Sequence, residues 1–466
     1  ECPHTSCSVA GLLTGRAMVS YSPPSGPVAE ETARLARRLQ DAGYYTAAVA
    51  ANPNLSVRRD LHLGFDSFVE ARGQTRMPRP AEPRARALRR LFHRVTQADP
   101  GLRERRLDTI GAWLQGEFGV GHELLDVEPE SRLAAALPSI REELRDGLRS
   151  ESPSDEAIMD ALRRAVARVT RQPPELVIEE TRRVTDRALD LLEEASGDRP
   201  LFLLVHMVPP HEPYVPAPST SFHDPDYEGP VEVGLLHVRA LAGLEETLDP
   251  DDVAQLSALY DGNFRRGDEE LGRLLSALRG RPRWDRTAVV VTSDHGEAFL
   301  EHGEISHGNN IFEEEVRIPL VIRPPSDVDS PVVREELASL LDLYPTLLAL
   351  ADLPRDPGAW GEDLLAPGFD GFRILFLRYP RGFGAVAGDW KLVVDLKEQA
   401  VPRLFHLRRD PREERNVARE HPARVAVLTA LLKRFLSMRE LSPVPEASGE
   451  MSPEERRRLE ALGYLG

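Results

Sequence analysis

The strongest constraint on what this chain folds into is a repeated pairing. An amphipathic helical pattern is followed, three times, by a short run of nearly continuous apolar residues. Residues 29–42 carry Leu35 and Leu39 at helical spacing, Gly43 closes the segment, and the run 45–51 ends at Asn52-Pro53-Asn54. Helix 181–195 precedes the run 201–206, and helix 253–278 precedes the run 287–293. A further run, 318–322, follows a polar loop. A strand that is apolar on both faces has to be covered on both. Such strands alternating with helices predict a three-layer α/β/α sandwich around a large, mainly parallel sheet.

Two stretches depart from this alternation. Residues 73–180 are rich in Arg, Glu, Pro and Ala and hold no strand-like run; helices are expected at 82–96, 138–148 and 155–171, as an insertion at the edge of the fold. Its basic blocks, 84–94 and 103–106, read as a solvated face. Past residue 365 the runs shorten to 374–377, 390–396 and 403–407, then a helix follows. Ser452-Pro453-Glu454-Glu455 has the cap and first-turn proline of another helix. The expected division is a main α/β domain over 1–365, insertion included, and a small α+β subdomain over 366–466.

Charge and cysteine count narrow the partners. A formal net charge of -17 disfavours nucleic acid and anionic lipid. It leaves room for an anionic substrate, because a bound cation reverses the field locally. No run of about 18 apolar residues appears, so the given chain holds no membrane-spanning segment. With only Cys2 and Cys7, a zinc site of several cysteines is excluded.

Polar chemistry gathers at strand ends and in one loop. The run 287–293 delivers Asp294, His295, Gly296 and Glu297, and a carboxylate beside an imidazole suits a divalent metal. The run 201–206 ends in His206, with His211 beyond Pro209-Pro210. In the loop after the metal strand, His307 is a candidate acid or anion contact, and His302 reads as a solvated loop residue. At the N-terminus, Thr5, Ser6, Cys7 and Ser8 precede an amphipathic segment ending in Thr14-Gly15-Arg16. A nucleophile at a helix start gains from the helix dipole and its free N–H groups.

Together these residues resemble the sulfatase family of the alkaline-phosphatase superfamily. Leu12-Leu13-Thr14-Gly15-Arg16 matches the end of the family's N-terminal signature: a nucleophilic Cys or Ser, then x-Pro-x-Arg, then a short apolar helix closing in Thr-Gly-Arg. Counting back nine from Thr14 lands on Thr5; Cys7 lies two residues too late, and Val9 stands where the signature has Arg. His206 and His211 match His-x-x-x-Pro-His-x-Pro-Tyr, with Pro210 as its proline. Asp294 and His295 match the metal pair, and Asp389-Trp390-Lys391-Leu392 looks like part of the C-terminal subdomain.

The resemblance implies a metal-dependent hydrolase of sulfate or phosphate esters. One divalent ion (Ca, Mg, Mn or Zn), with a second as an option, is expected on Asp294, His295 and Thr5. Thr5 is expected to attack the ester. His206 and His307 would hold the anion's oxygens or protonate the leaving group, and His211 and Arg16 would contact the substrate. The ester would be borne by a small molecule, a glycan or a lipid-linked group. A Thr in the nucleophile slot resembles the branch of phosphodiesterases and phospho-alcohol transferases. A formylglycine hydrate expels sulfate by reverting to the aldehyde, whereas a Thr sulfate ester has no such exit; Thr therefore favours phosphate. The family opens with a strand carrying one or two acidic ligands ahead of the nucleophile. The chain starts after it, so poor metal binding by this chain alone is the expectation, as is an extracytoplasmic location. Two rival readings stay open: a phospho-alcohol transferase, and a noncatalytic relative that binds a polyanionic glycan.

Overall fold

The computed structural model describes residues 5–16, 34–52, 62–71, 174–195, 197–215, 248–325, 332–395 and 401–437, with isolated positions between them. The insertion helices expected at 82–96, 138–148 and 155–171, and the helix start at Ser452, lie outside the described residues. The chain divides into two compact units, one of Glu1–Glu70, Arg187–His206 and Leu274–Met451, the other of Ala71–Asp186, Met207–Arg273 and Ser452–Gly466.

The elements run α1 (Thr5–Thr14), α2 (Arg34–Asp41), β1 (Tyr45–Ala50), β2 (Ser67–Glu70), α3 (Pro174–Glu194), β3 (Leu201–His206), α4 (Pro250–Arg279) and β4 (Val289–Thr292). In the first unit β1 lies between β2 and β3, parallel to both, with Ala50 beside His206 in the register. The small side chains Ala47, Ala48 and Val49 are almost fully buried and let helices close over β1. Leu35 and Leu39 lie one turn apart on α2 and share a core with Val9 and Leu13 of α1. Tyr344 and Leu348 of α6 (Leu343–Leu350) complete it. Each such leucine, taken fully out of water, contributes on the order of 1.5–3 kcal/mol.

After β4 the chain makes a small hairpin, β5 (Ala298–Phe299) with β6 (Ile305–Ser306), then the one-turn helix α5 (Glu313–Val316), and enters β7 (Leu320–Arg323). β4 and β7 pair antiparallel as a two-stranded sheet of their own, so among the described residues neither the run 287–293 nor the run 318–322 joins the three-stranded parallel sheet. The cause is the connection. It leaves the carboxyl end of β4 and returns from that same end, whereas a parallel strand needs a crossover to the other end of the sheet.

Strands β8 (Ile374–Tyr379), β9 (Gly382–Ala387), β10 (Trp390–Asp395) and β11 (Arg403–His406) form an antiparallel sheet in the order β11-β10-β9-β8. Side chains alternate across it. Leu392 and Leu404 face Leu428 of α7 (Pro422–Ser437), while Val393 and Phe405 face Ile311 and Phe312. The sheet therefore carries, on one face, the loop that follows β6.

In the second unit Tyr214 meets Tyr260 edge-on, ring centroids 5.6 Å apart. No helix among the described residues is long and apolar enough to cross a membrane.

Candidate active site

Three strands and one helix deliver the polar cluster. Thr5 is the first residue of α1 and is 1% exposed. Its Oγ1 lies 3.4 Å from Nε2 of His295 and 3.4 Å from Nδ2 of Asn52, which stands just past β1. Asp294 follows β4; its Oδ2 is 3.6 Å from His295 Nε2 and 3.8 Å from Nε2 of His206, the last residue of β3. In α/β sheets, sites form outside the carboxyl ends of strands, and here a helix N-terminus points at the same place.

The electrostatics follow from that crowding. Burial alone pushes the Asp294 carboxyl up. His295, His206 and the Thr5 hydroxyl outweigh burial and hold it far below the ordinary carboxylate range. His295 donates from Nδ1 to the Gly296 carbonyl at 2.8 Å, so Nε2 is the ring nitrogen near Thr5 and Asp294. The turn is tight at Gly296, where a Cβ would lie 2.0 Å from the Glu314 carbonyl oxygen. Gly296 N and Glu297 N donate to the carbonyls of Glu315 and Glu314 at 2.8 and 2.9 Å.

His307 follows β6 and is 2% exposed. Its Nδ1 donates to Oε1 of Glu297 at 3.1 Å, and its ring stacks on His295 with centroids 4.0 Å apart. The amides of Gly308 and Asn309 donate to Glu315 Oε2 at 2.6 and 3.3 Å. Burial still pushes the Glu315 carboxyl up to about 8. His206 keeps a buried Nδ1 without a hydrogen-bond partner.

Five of the residues expected from the sequence thus come together: Thr5, His206, Asp294, His295 and His307. Arg16 does not join them. It lies past the far end of the ten-residue α1, on the order of 15 Å from Thr5 by helix rise, with its guanidinium against Gly358. His211 belongs to the second unit, where its Nδ1 donates to the Glu212 carbonyl at 2.8 Å and its own carbonyl accepts from Asn263. Cys7 is disulfide-bonded and has no thiol to offer as a nucleophile. His302 is not a solvated loop residue. Its Nδ1 donates to Glu314 at 2.7 Å and its ring stacks on Phe312 at 3.6 Å. Asn52 was legible only as a turn former; its place at the end of a sheet strand was the available signal.

Among the described residues no group of three or more His, Cys, Asp and Glu surrounds a cation position. What is present is a partial donor set. The Asp294 carboxylate, the His295 Nε2 lone pair and the Thr5 hydroxyl are the oxygen and imidazole donors that Mg, Mn and Zn accept. The donor types fit a divalent ion, and the set is short of a full shell.

Fold and site define an α/β protein with a hydroxyl at the start of α1 and a carboxylate and imidazoles gathered at or just past the ends of β3 and β4. The sequence model of the sulfatase family matches residues 1–353. The chain belongs to the sulfatase family. It is 31% identical over 259 residues to the uncharacterized sulfatase YidJ of Escherichia coli K12, covering 50% of each chain. To the multifunctional alkaline phosphatase superfamily protein PehA of Trinickia caryophylli it is 28% identical over 308 residues, covering 55% of this chain and 58% of that one. The chain spans about half the length of these curated relatives. A putative sulfatase from Bacteroides thetaiotaomicron superposes with a TM-score of 0.56 at 15% identity, over 98% of this chain and 86% of the other. A protein solved with its substrate D-glucosamine-2-N,6-O-disulfate gives 0.53 at 16% identity, over 96% and 90%. At these identities the solved structures show a common fold.

Proposed function

We propose that the protein is a metal-dependent hydrolase of phosphate or sulfate esters in which Thr5 is the nucleophile. The observation that carries this is the Thr5 hydroxyl, buried at a helix N-terminus and within 3.4 Å of His295 Nε2. The disulfide at Cys7 supports Thr5 over the nearby thiol. It also favours an oxidising, extracytoplasmic compartment.

Asp294, His295 and Thr5 would hold the divalent ion, which when bound polarises the ester and lowers the pKa of the attacking hydroxyl. Thr5 Oγ1 passes its proton to solvent and forms the bond to phosphorus, while the bond to the leaving oxygen breaks and that oxygen takes a proton from His307. His307 is fixed by Glu297 through Nδ1, so Nε2 is the nitrogen that delivers a proton to the departing oxygen. Water then attacks phosphorus, giving its hydroxyl to phosphorus and a proton back to His307 Nε2; the bond from phosphorus to Oγ1 breaks and Thr5 regains its proton from solvent. His206 holds an oxygen of the anion. Phosphate is favoured over sulfate, because the second step needs attack at the central atom. A small-molecule or glycan-borne ester is the substrate class.

The test is turnover of an aryl sulfate, a phosphate monoester and a phosphate diester by the full chain, with Thr5→Ala and Cys7→Ala alongside. Hydrolysis of a phosphate ester, lost in Thr5→Ala and kept in Cys7→Ala, is expected. Activity that survives Thr5→Ala and disappears in Cys7→Ala overturns the assignment. Transfer to an added alcohol in place of water would make the protein a transferase.

A further inference from the structure

The helix α5 opens with three consecutive glutamates, and each is committed to a different partner. Glu313 Oε1 accepts from Lys391 Nζ at 2.9 Å. Glu314 Oε1 accepts from His302 Nδ1 at 2.7 Å. Glu315 Oε2 accepts the amide of Gly308 at 2.6 Å. The main chain of the same turn receives the amides of Gly296 and Glu297. One turn of helix therefore joins the backbone beside His295 and Glu297, the backbone beside His307, and the C-terminal sheet.

Lys391 is the anchor on the sheet side. It sits in β10 with its side chain 0% exposed. Its ammonium lies between Glu313 and Glu413, 3.1 Å from Glu413 Oε1. Glu413 is itself 2% exposed, and its Oε2 accepts the Glu313 amide at 2.7 Å. An ion taken out of water is stabilised only by close, well-oriented partners, and a hydrophobic residue of similar volume would usually serve stability as well or better. A buried lysine shared by two carboxylates contributes something else here. It makes the placement of α5 an all-or-none matter, because a shift of Glu313 would leave charge unpaired.

We infer that Lys391 is a positioning residue for the site: with Glu413 it fixes α5, and through α5 it sets the backbones of 296–297 and 308–309 that aim His295, Glu297 and His307. The kinetic arm of its test rests on the hydrolytic reading above; the exchange arm does not.

Lys391→Met alone strands a buried Glu413 carboxylate and is expected to fold poorly. The double variant Lys391→Met/Glu413→Gln removes both charges and keeps the packing. In the full chain we expect that variant to melt within a few degrees of wild type. Hydrogen exchange should speed at least tenfold at the amides of Gly296, Glu297 and Gly308, and remain unchanged along β1. Turnover of the phosphate ester should fall at least tenfold in kcat with KM unchanged. Unchanged exchange at those three amides overturns the inference, and so does a double variant that fails to fold, since a positioning pair is dispensable for folding. If wild type turns over none of the esters, the hydrolytic reading fails, and the exchange result alone decides the role of Lys391.

Discussion

The imidazoles of His295 and His307 lie face to face, with centroids 4.0 Å apart and 25° between the ring planes. Both are aimed by one dipeptide. His295 donates from Nδ1 to the carbonyl of Gly296, and His307 donates from Nδ1 to the carboxylate of Glu297. Two positive rings at that distance would repel by about 4 kcal/mol at an effective dielectric of 20, so the stack favours one charge at most. Each ring has its own carboxylate: Glu297 accepts from His307 Nδ1, and Asp294 Oδ2 lies 3.6 Å from His295 Nε2. The proposed roles use Nε2 of each ring, because Nδ1 of each is already committed to that dipeptide.

Glu297→Gln follows directly. Glutamine can still accept from Nδ1 but offers no charge to the imidazolium. We expect kcat on a phosphate ester to fall about 10- to 100-fold, less than the roughly 10²- to 10⁴-fold of losing general acid catalysis outright, with KM nearly constant. Unchanged kcat in steady-state kinetics would remove His307 from the acid role.

Removal of metal gives a second expectation. Chelation should abolish turnover, and added Mn or Zn should restore it. Asp294→Asn and His295→Ala should each weaken that metal at least tenfold by calorimetric titration, since each deletes one donor of a small set. Turnover indifferent to chelator would refute the metal-dependent reading.

Much of this fold is readable along the chain, and the gaps have physical causes. The run 201–206 coincides with β3 because its apolar stretch is bounded by Arg199-Pro200 and by His206, with Pro209-Pro210 soon after the strand. β9 is not readable, because Gly382 and Gly384 interrupt its run. Gly384 is small for a tertiary reason: a Cβ there would lie 2.5 Å from Ile311 Cδ1. The direction of β7 is set by the path of the preceding loop, which no periodicity encodes. At the site, Asp294, His295 and His206 are signalled by strand ends. The pairings Glu315 with Gly308 and His302 with Glu314 are set by the loop's tertiary path, and sequence gives them no mark. Arg16 was expected at the substrate because a motif ends with it, but a whole helix separates it from Thr5.

Gly296→Ala tests the tightness of the turn that follows Asp294-His295. The new Cβ would fall 2.0 Å from the Glu314 carbonyl oxygen, which is backbone and cannot swing aside. We expect a loss of about 1–3 kcal/mol in chemical denaturation, the range for overpacked sites, together with weakened metal binding. Gly272→Ala is the control: nothing lies within 4 Å of its added Cβ, and as a helical position it should gain stability by about 0.5–1 kcal/mol. Equal behaviour of the two variants would contradict the packing described at Gly296.

Glu315 should impose a pH dependence on stability. Burial pushes its carboxyl up from 4.5 to about 8, although the amides of Gly308 and Asn309 pull the other way. Between those values the folded chain holds a proton that the unfolded chain has released. The stability contributed by this group is therefore complete below about pH 4.5 and is lost as pH rises through about 8, at roughly 1.4 kcal/mol per pH unit. Glu315→Gln imitates the protonated acid: its carbonyl can still accept the two amides, and it does not titrate. The melting temperatures of variant and wild type should nearly coincide around pH 4.5 and separate steadily toward pH 8, the variant being higher. His302, raised by Glu314 against the effect of burial, titrates in both proteins and cancels from the difference. Parallel melting curves across that window would show that Glu315 is ionised throughout. In that case α5 would hold a full carboxylate charge against the Gly308 amide rather than a neutral acid.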